Sequence, residues 1–207
     1  MATSDRLSLG FDTSAAHCAA ALVSGDRILA ERVEAMRKGQ AERLMPLLED
    51  LLAVAGHRWA DLDCIGVGTG PGNFTGIRIA VAAARGLALG LGIPAHGVTG
   101  PEALGGGRDV IVCLPAPQGA VHAARGDDIR RLTAADWPAD WRAPLTGPAA
   151  PELAAALGLP LAETPALAPA IARLAARRAT PGGARPAPLY LRPADAAPPA
   201  DQPPAIL

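Results

Sequence analysis

Aromatic residues are scarce in this 207-residue chain: three Trp, two Phe and one Tyr make up 3% of it. Proteins that hold single-stranded nucleic acid stack bases on exposed rings, and six scattered rings offer no such platform. An excess of positive charge is lacking too. Nineteen Lys and Arg meet twenty Asp and Glu, for a net charge of −1, and Lys38 is the single lysine. Affinity for phosphate backbones comes from clustered cations, so this balance gives no global attraction to RNA or DNA. The adjacent basic pairs Arg37-Lys38, Arg130-Arg131 and Arg177-Arg178 are far apart and read as solvated ends of elements. Cysteines number three, and Cys18, Cys64 and Cys113 form no CxxC pair. Each stands in an apolar stretch, the usual setting of a buried free thiol in a reducing compartment. The opening Met-Ala-Thr-Ser-Asp-Arg has no basic region followed by an apolar run, so no signal peptide is read there and a cytoplasmic protein is expected. The apolar run Ile77 to Ile93 is shorter than the roughly 20 residues of a bilayer span and carries Arg85 near its middle, so no membrane contact is expected.

Small apolar residues are abundant. Half the chain is apolar and 19% is charged, which excludes a disordered polar chain, while 23 Gly and 21 Pro punctuate it heavily. The most informative stretch is Gly66-Val-Gly-Thr-Gly-Pro-Gly-Asn-Phe-Thr-Gly-Ile-Arg-Ile-Ala80, a strand that drops into a glycine turn and then a helix. Glycines at 66, 68, 70 and 72 permit positive φ and close approach to a neighbour. Asn73 or Thr75 is placed to cap the helix that follows. That helix, Phe74–Leu91, carries Arg78 and Arg85 as its only charges, and Ala82, Gly86 and Gly90 recur every four residues. A helix apolar nearly all round needs cover on more than one side, and the small-residue face suits another backbone. The expectation is a helix buried by its own sheet on one side and by a second subunit on the other.

The stretch Gly70-Pro-Gly-Asn-Phe-Thr-Gly-Ile-Arg-Ile79 resembles the GPGSFTGLRIG signature of the TsaB (YeaZ) family. Leu9-Gly-Phe-Asp-Thr-Ser14, Gln40-Ala-Glu-Arg-Leu-Met-Pro46, Gly86-Leu-Ala-Leu-Gly90 and Pro188-Leu-Tyr-Leu-Arg192 extend the likeness. It is strong over residues 7 to 100 and, after that, confined to the Tyr190 motif. The family's DARxGEVY-like segment is replaced by Pro115-Ala-Pro-Gln-Gly-Ala-Val-His122. The resemblance implies a non-catalytic subunit that pairs with its catalytic paralogue TsaD, with a third ATPase subunit (TsaE), in making threonylcarbamoyladenosine at position 37 of tRNA. It further implies a homodimer in isolation, tRNA contact only through the complex, and no cofactor held by this chain alone, with room for ATP or ADP at the partner interface. The helices 42–55 and 74–91 would meet their equivalents in the partner. Interface candidates are then Leu44, Leu48, Arg78, Ala82, Arg85, Gly86, Leu89 and Gly90.

The element pattern agrees with an α/β protein. Strands at 7–11, 18–23 and 27–33, a helix at 42–55 stopped by Gly56, a strand at 64–67, the 74–91 helix and a strand at 95–98 follow the order of a ribonuclease H-like domain. Actin-like proteins pair two such domains, and the second here looks abbreviated. Its strands are expected at 110–114, 119–124 and 128–132, with a helix at 166–179. Pro138, Pro144, Pro148 and Pro151 break the stretch between them. The expected partition is 1–104, 105–192 and a proline-rich, disordered tail at 193–207.

Chemistry-bearing residues are few. Asp12 and Ser14 at the end of the first strand suit either metal-phosphate binding, as in kinases of this superfamily, or an Asx/ST turn. The glycine loop lacks the Lys-Ser/Thr of a P-loop. His17, His57, His96 and His122 fall in separate elements with no i, i+4 pair, so no metal site is expected. No catalytic residue is nominated. The alternative function is a stand-alone actin-like ATPase or small-molecule phosphotransferase, which would need Asp12 and a second acid across a cleft.

Overall fold

The computed structural model describes residues 6–178 and 184–191; the segment 193–207 lies outside the described residues. Strands β1 (Leu7–Asp12), β2 (His17–Ser24) and β3 (Arg27–Ala35) form an antiparallel meander. β4 (Cys64–Gly68) and β5 (Ala95–Val98) add in parallel on the other side of β1, giving the order β3-β2-β1-β4-β5. All six residues of β1 are buried because both faces of the sheet are covered. Edge strand β3 is largely exposed and carries Glu31, Arg32 and Glu34, charges that discourage pairing with another edge.

Helices α1 (Gln40–Val54) and α2 (Phe74–Leu91) cover one face. Leu44, Leu47, Leu48, Leu51 and Leu52 of α1, and Ile77, Ala80, Val81 and Ala84 of α2, close a core over Leu9, Phe11, Leu22, Ile65 and Val67. The opposite face is covered by α5 (Leu167–Arg178), from far along the chain. Its approach is close. A Cβ on Gly10 would stand 2.5 Å from the Ala168 carbonyl oxygen, and one on Gly66 2.7 Å from that of Ile171. Both are far inside van der Waals contact, so a helix backbone lies directly on a sheet made locally of Gly and Ala. Ser8 Oγ seals the contact by donating to the Ala172 carbonyl at 2.8 Å. The small residues of this sheet face thus serve as a packing device.

A second sheet contains β6 (Ile111–Pro115), β7 (Val121–Arg125), β8 (Asp128–Leu132) and β9 (Leu145–Thr146) in the order β8-β7-β6-β9. Strand senses repeat those of β3-β2-β1-β4, and the described residues add no fifth strand. One face holds Trp137, Trp141, Leu153 and Ala154; the other holds Leu104, Val112, Leu114 and Ala124. The sequence reading missed β9 and the helices α3 (Gly100–Gly105) and α4 (Ala150–Leu157). Pro151, expected to break the chain, instead stands in the first turn of α4, as Pro101 does in α3, where the missing N–H has no partner to lose. By sequence α5 belongs to the 105–192 segment; by packing it lies on β1, β2 and β4.

Candidate functional site

The glycine turn between β4 and α2 wraps the β1–β2 turn. Asp12 ends β1 with its carboxylate buried, and Oδ1 accepts from the Ser14 amide, from Ser14 Oγ and from His17 Nε2, each at 2.8 Å. This is the Asx turn that the sequence offered as one of two readings. Thr13 Oγ1 donates to the Gly76 carbonyl at 2.6 Å, and the Asn73 amide donates to the Ser14 carbonyl at 2.6 Å. Asn73 caps α2, its Oδ1 accepting from the Gly76 amide at 2.8 Å.

The glycines of this turn serve close approach more than unusual dihedrals. Of positions 66, 68, 70 and 72, only Gly70 has positive φ, at 96°, which corrects the broader expectation. Added Cβ atoms would overlap the Asp12 carboxylate at Gly68, the Ser14 carbonyl at Gly72 and the Thr13 carbonyl at Gly76. The β1–β2 turn thus lies directly against the glycine turn, with no room for side chains between them. The residues Asp12 and Ser14 fit a turn-holding role.

Between the lobes lies a cleft of about 730 Å³, bordered by Ser14, His17, Arg37 and Asn73 on one side and Pro115 and His122 on the other. No carboxylate is among its lining residues, and no cluster of three metal-ligating side chains occurs among the described residues. Of the four histidines, His17 and His122 both border this cleft. Cys18, Cys64 and Cys113 are buried and free. Burial pushes all three thiols up, Cys113 to about 12, so they stay protonated and unreactive.

The second candidate surface is the outer face of α2. Gly76, Ile77, Ala80, Val81 and Ala84 are the buried residues of its 18. Arg78, Ala82, Arg85, Gly86, Leu89 and Gly90 are exposed along one stripe, with Leu89 at 84%. A Cβ on Gly86 or Gly90 would meet nothing within 4 Å. α2 is long and apolar enough to pass for a membrane span by length and composition alone, and its inner face is a wall of the folded core. Two interface candidates need correction: Leu44 and Leu48 are 1% and 0% exposed and point from α1 into the chain's own core. The spacing of apolar residues on α1 marked its inward face, and the sequence reading assigned that face to a partner.

A feature the sequence reading did not foresee is the segment 184–191. It crosses beside α2 and is tied there by three hydrogen bonds. Arg85 Nε donates to the Pro186 carbonyl at 2.7 Å, Arg78 Nε to Tyr190 Oη at 2.8 Å, and the Leu189 amide to the Thr69 carbonyl at 2.8 Å. Arg78 also stacks over Phe74, 3.7 Å from its ring centre, and Phe74 meets Tyr190 at 5.0 Å between centroids. The Pro188-Leu-Tyr-Leu-Arg192 motif marks this segment in the sequence, but nothing along the chain pairs it with Arg78 and Arg85.

These features define an actin-like α/β protein of the ribonuclease H-like kind, built on two related mixed sheets. Residues 27–178 match the family described as TsaD, tRNA N6-adenosine threonylcarbamoyltransferase, and the chain belongs to that family, on its TsaB (YeaZ) branch. It is 32% identical over 123 residues to the tRNA threonylcarbamoyladenosine biosynthesis protein TsaB of Escherichia coli, covering 56% of this chain and 53% of that protein. To TsaB of Bacillus subtilis it is 38% identical over 96 residues, covering 46% and 42%. The chain thus spans about half the length of the curated relatives it matches. The solved structure of YeaZ from Pseudomonas aeruginosa covers 90% of this chain and 100% of its own, at a TM-score of 0.64 and 24% identity, a likeness of fold.

Proposed function

We propose that this chain is a scaffold subunit that pairs with a TsaD-type catalytic protein, allowing that partner to transfer the threonylcarbamoyl group to adenosine 37 of tRNA. The observation that carries this reading is the exposed stripe of α2. A helix with Ala82, Gly86 and Gly90 open and Leu89 almost fully exposed leaves an apolar, backbone-accessible face that water covers poorly. The relatives named for tRNA threonylcarbamoyladenosine biosynthesis add the class of process. The contact is made by α2, with the outer face of α1 beside it. Without the partner, two copies meet through the same patch, since a two-fold contact uses one surface twice.

In this reading the chain supplies no catalytic group. Asp12 holds a turn, the cleft is lined without carboxylates, and nucleotide use belongs to the assembled complex. Membership of a TsaE-type ATPase in that complex, and a cytoplasmic setting, follow from the same proposal. Contact with tRNA is expected through the complex. Arg130 is paired with Asp128, and Arg178 with Glu102, which leaves no continuous basic track among the described residues.

The test is reconstitution with the TsaD-type protein of the same cell. Co-elution of the two chains, modification of tRNA only when both are present, and weak, salt-sensitive tRNA binding by this chain alone at about 0.15 M salt would support it. Modification or sub-micromolar tRNA-selective binding by the isolated chain would overturn it.

A further inference from the structure

Beside the C-terminal half of α2, where the helix passes β5 and the 184–191 segment, a pocket of about 390 Å³ opens. β5 is the edge strand of its sheet, so no further strand covers this side. The pocket's chemistry is lopsided. Arg85, Arg185 and His96 line it, and no carboxylate does. Arg85 spends its Nε on the Pro186 carbonyl, and among the described residues neither Arg85 nor Arg185 has an ion-pair partner. His96 is 8% exposed, and its Nε2 is buried with no hydrogen-bond partner among the described residues. A buried polar atom left unpaired is costly, and in a native fold it calls for a partner from outside the chain or another specific cause. Leu89, Ile93 and Pro94 complete the lining with an apolar wall.

We propose that this pocket binds a small molecule carrying an oxyanion, phosphate or carboxylate, on an apolar body. Two guanidinium groups without acidic partners offer planar N–H forks that match either oxyanion, and their charge is not cancelled locally. The apolar wall beside them needs a hydrocarbon or ring to displace its water. A concave space of this size, mostly apolar with a few converging polar groups, is the usual form of a small-molecule site. Arg85, Gly86 and Leu89 also belong to the α2 stripe assigned above to the partner contact, so the pocket lies at the edge of that contact. Arg185 and His96 stand outside the stripe, and titration of the chain without its partner reads ligand binding apart from partner binding.

Isothermal titration of the full chain at constant ionic strength tests this, with phenyl phosphate and benzoate as probes and benzyl alcohol as the uncharged control. Millimolar or tighter binding of at least one anionic probe is expected, with no heat from benzyl alcohol. The probe that binds better distinguishes a phosphate from a carboxylate ligand. Arg185→Ala should weaken binding by about tenfold or more, the loss of a charge-assisted contact, while Arg177→Ala, an exposed cation on α5, should leave it unchanged. Arg185 is itself exposed, and an unchanged melting temperature would confirm that its substitution spares the fold. Absence of binding by both anions, full binding in Arg185→Ala, or equal weakening by Arg177→Ala would each overturn the proposal.

Discussion

The side chain and backbone of Thr13 both lie against the backbone of Gly76. Thr13 Oγ1 donates to the Gly76 carbonyl at 2.6 Å, while the Thr13 carbonyl occupies the place a Gly76 side chain would take. One pair therefore locks the β1–β2 turn onto the first turn of α2, where the glycine signature lies.

Gly76→Ala is expected to destabilise the fold by about 1–3 kcal/mol, because the new methyl overlaps a backbone oxygen that cannot move aside. Gly86→Ala should act oppositely, stabilising by about 0.5–1 kcal/mol, since that helical position is open and alanine lowers the entropy cost of helix formation. Urea denaturation of both variants checks the contrast. A stable Gly76→Ala protein would mean that the turn and helix are not in register as described.

Gly86→Glu should abolish self-association and partner binding while leaving a folded monomer. The glutamate has room in the monomer but would be buried against another backbone in the complex, where an unpaired carboxylate is strongly unfavourable. Size-exclusion chromatography paired with circular dichroism reads both properties. An intact dimer would remove α2 from the interface.

Asp12→Ala should lower stability by about 1–3 kcal/mol, because it strips the acceptor from the Ser14 amide, the Ser14 hydroxyl and His17 at once. Asp12→Asn, which keeps an acceptor oxygen, should recover part of that loss. If the reconstituted complex containing folded Asp12→Asn lost modification activity with no change in assembly, the turn-holding role would be insufficient.

His96 sets a pH dependence. Burial and the nearby Arg178 hold its pKa below the ordinary 6.5, so the folded chain resists protonating it. The unfolded chain binds that proton more readily, and stability rises with pH where the two states differ. The contribution is therefore present above about pH 6.5 and is lost as pH falls through the depressed folded value. His96→Gln should lose less stability than the native chain between pH 7 and pH 5 in thermal melts. Identical slopes would show that His96 does not titrate differently on folding.

Much of the first lobe was legible in the sequence. Residues 74–91 and 95–98 carry their own boundaries: Asn73 caps the helix, Gly92 ends it at a φ of 69°, and Pro94 opens the next strand. The exposed stripe of α2 followed from its spacing because periodicity is a local property. Leu44 and Leu48 show the limit of that logic, since periodicity marks a face of a helix without saying what the face meets.

The sequence by itself determined the element order, the small-residue stripe, the buried thiols and the lack of a basic surface, all of which depend on neighbours within a turn or on totals. Tertiary structure alone decided where α5 goes, that glycines 10 and 66 exist to admit it, and that Arg78 and Arg85 are held by a segment about a hundred residues away. Those facts depend on contacts between distant parts of the chain, and a backbone lying 2.5 Å from an absent Cβ leaves no periodic trace along the sequence.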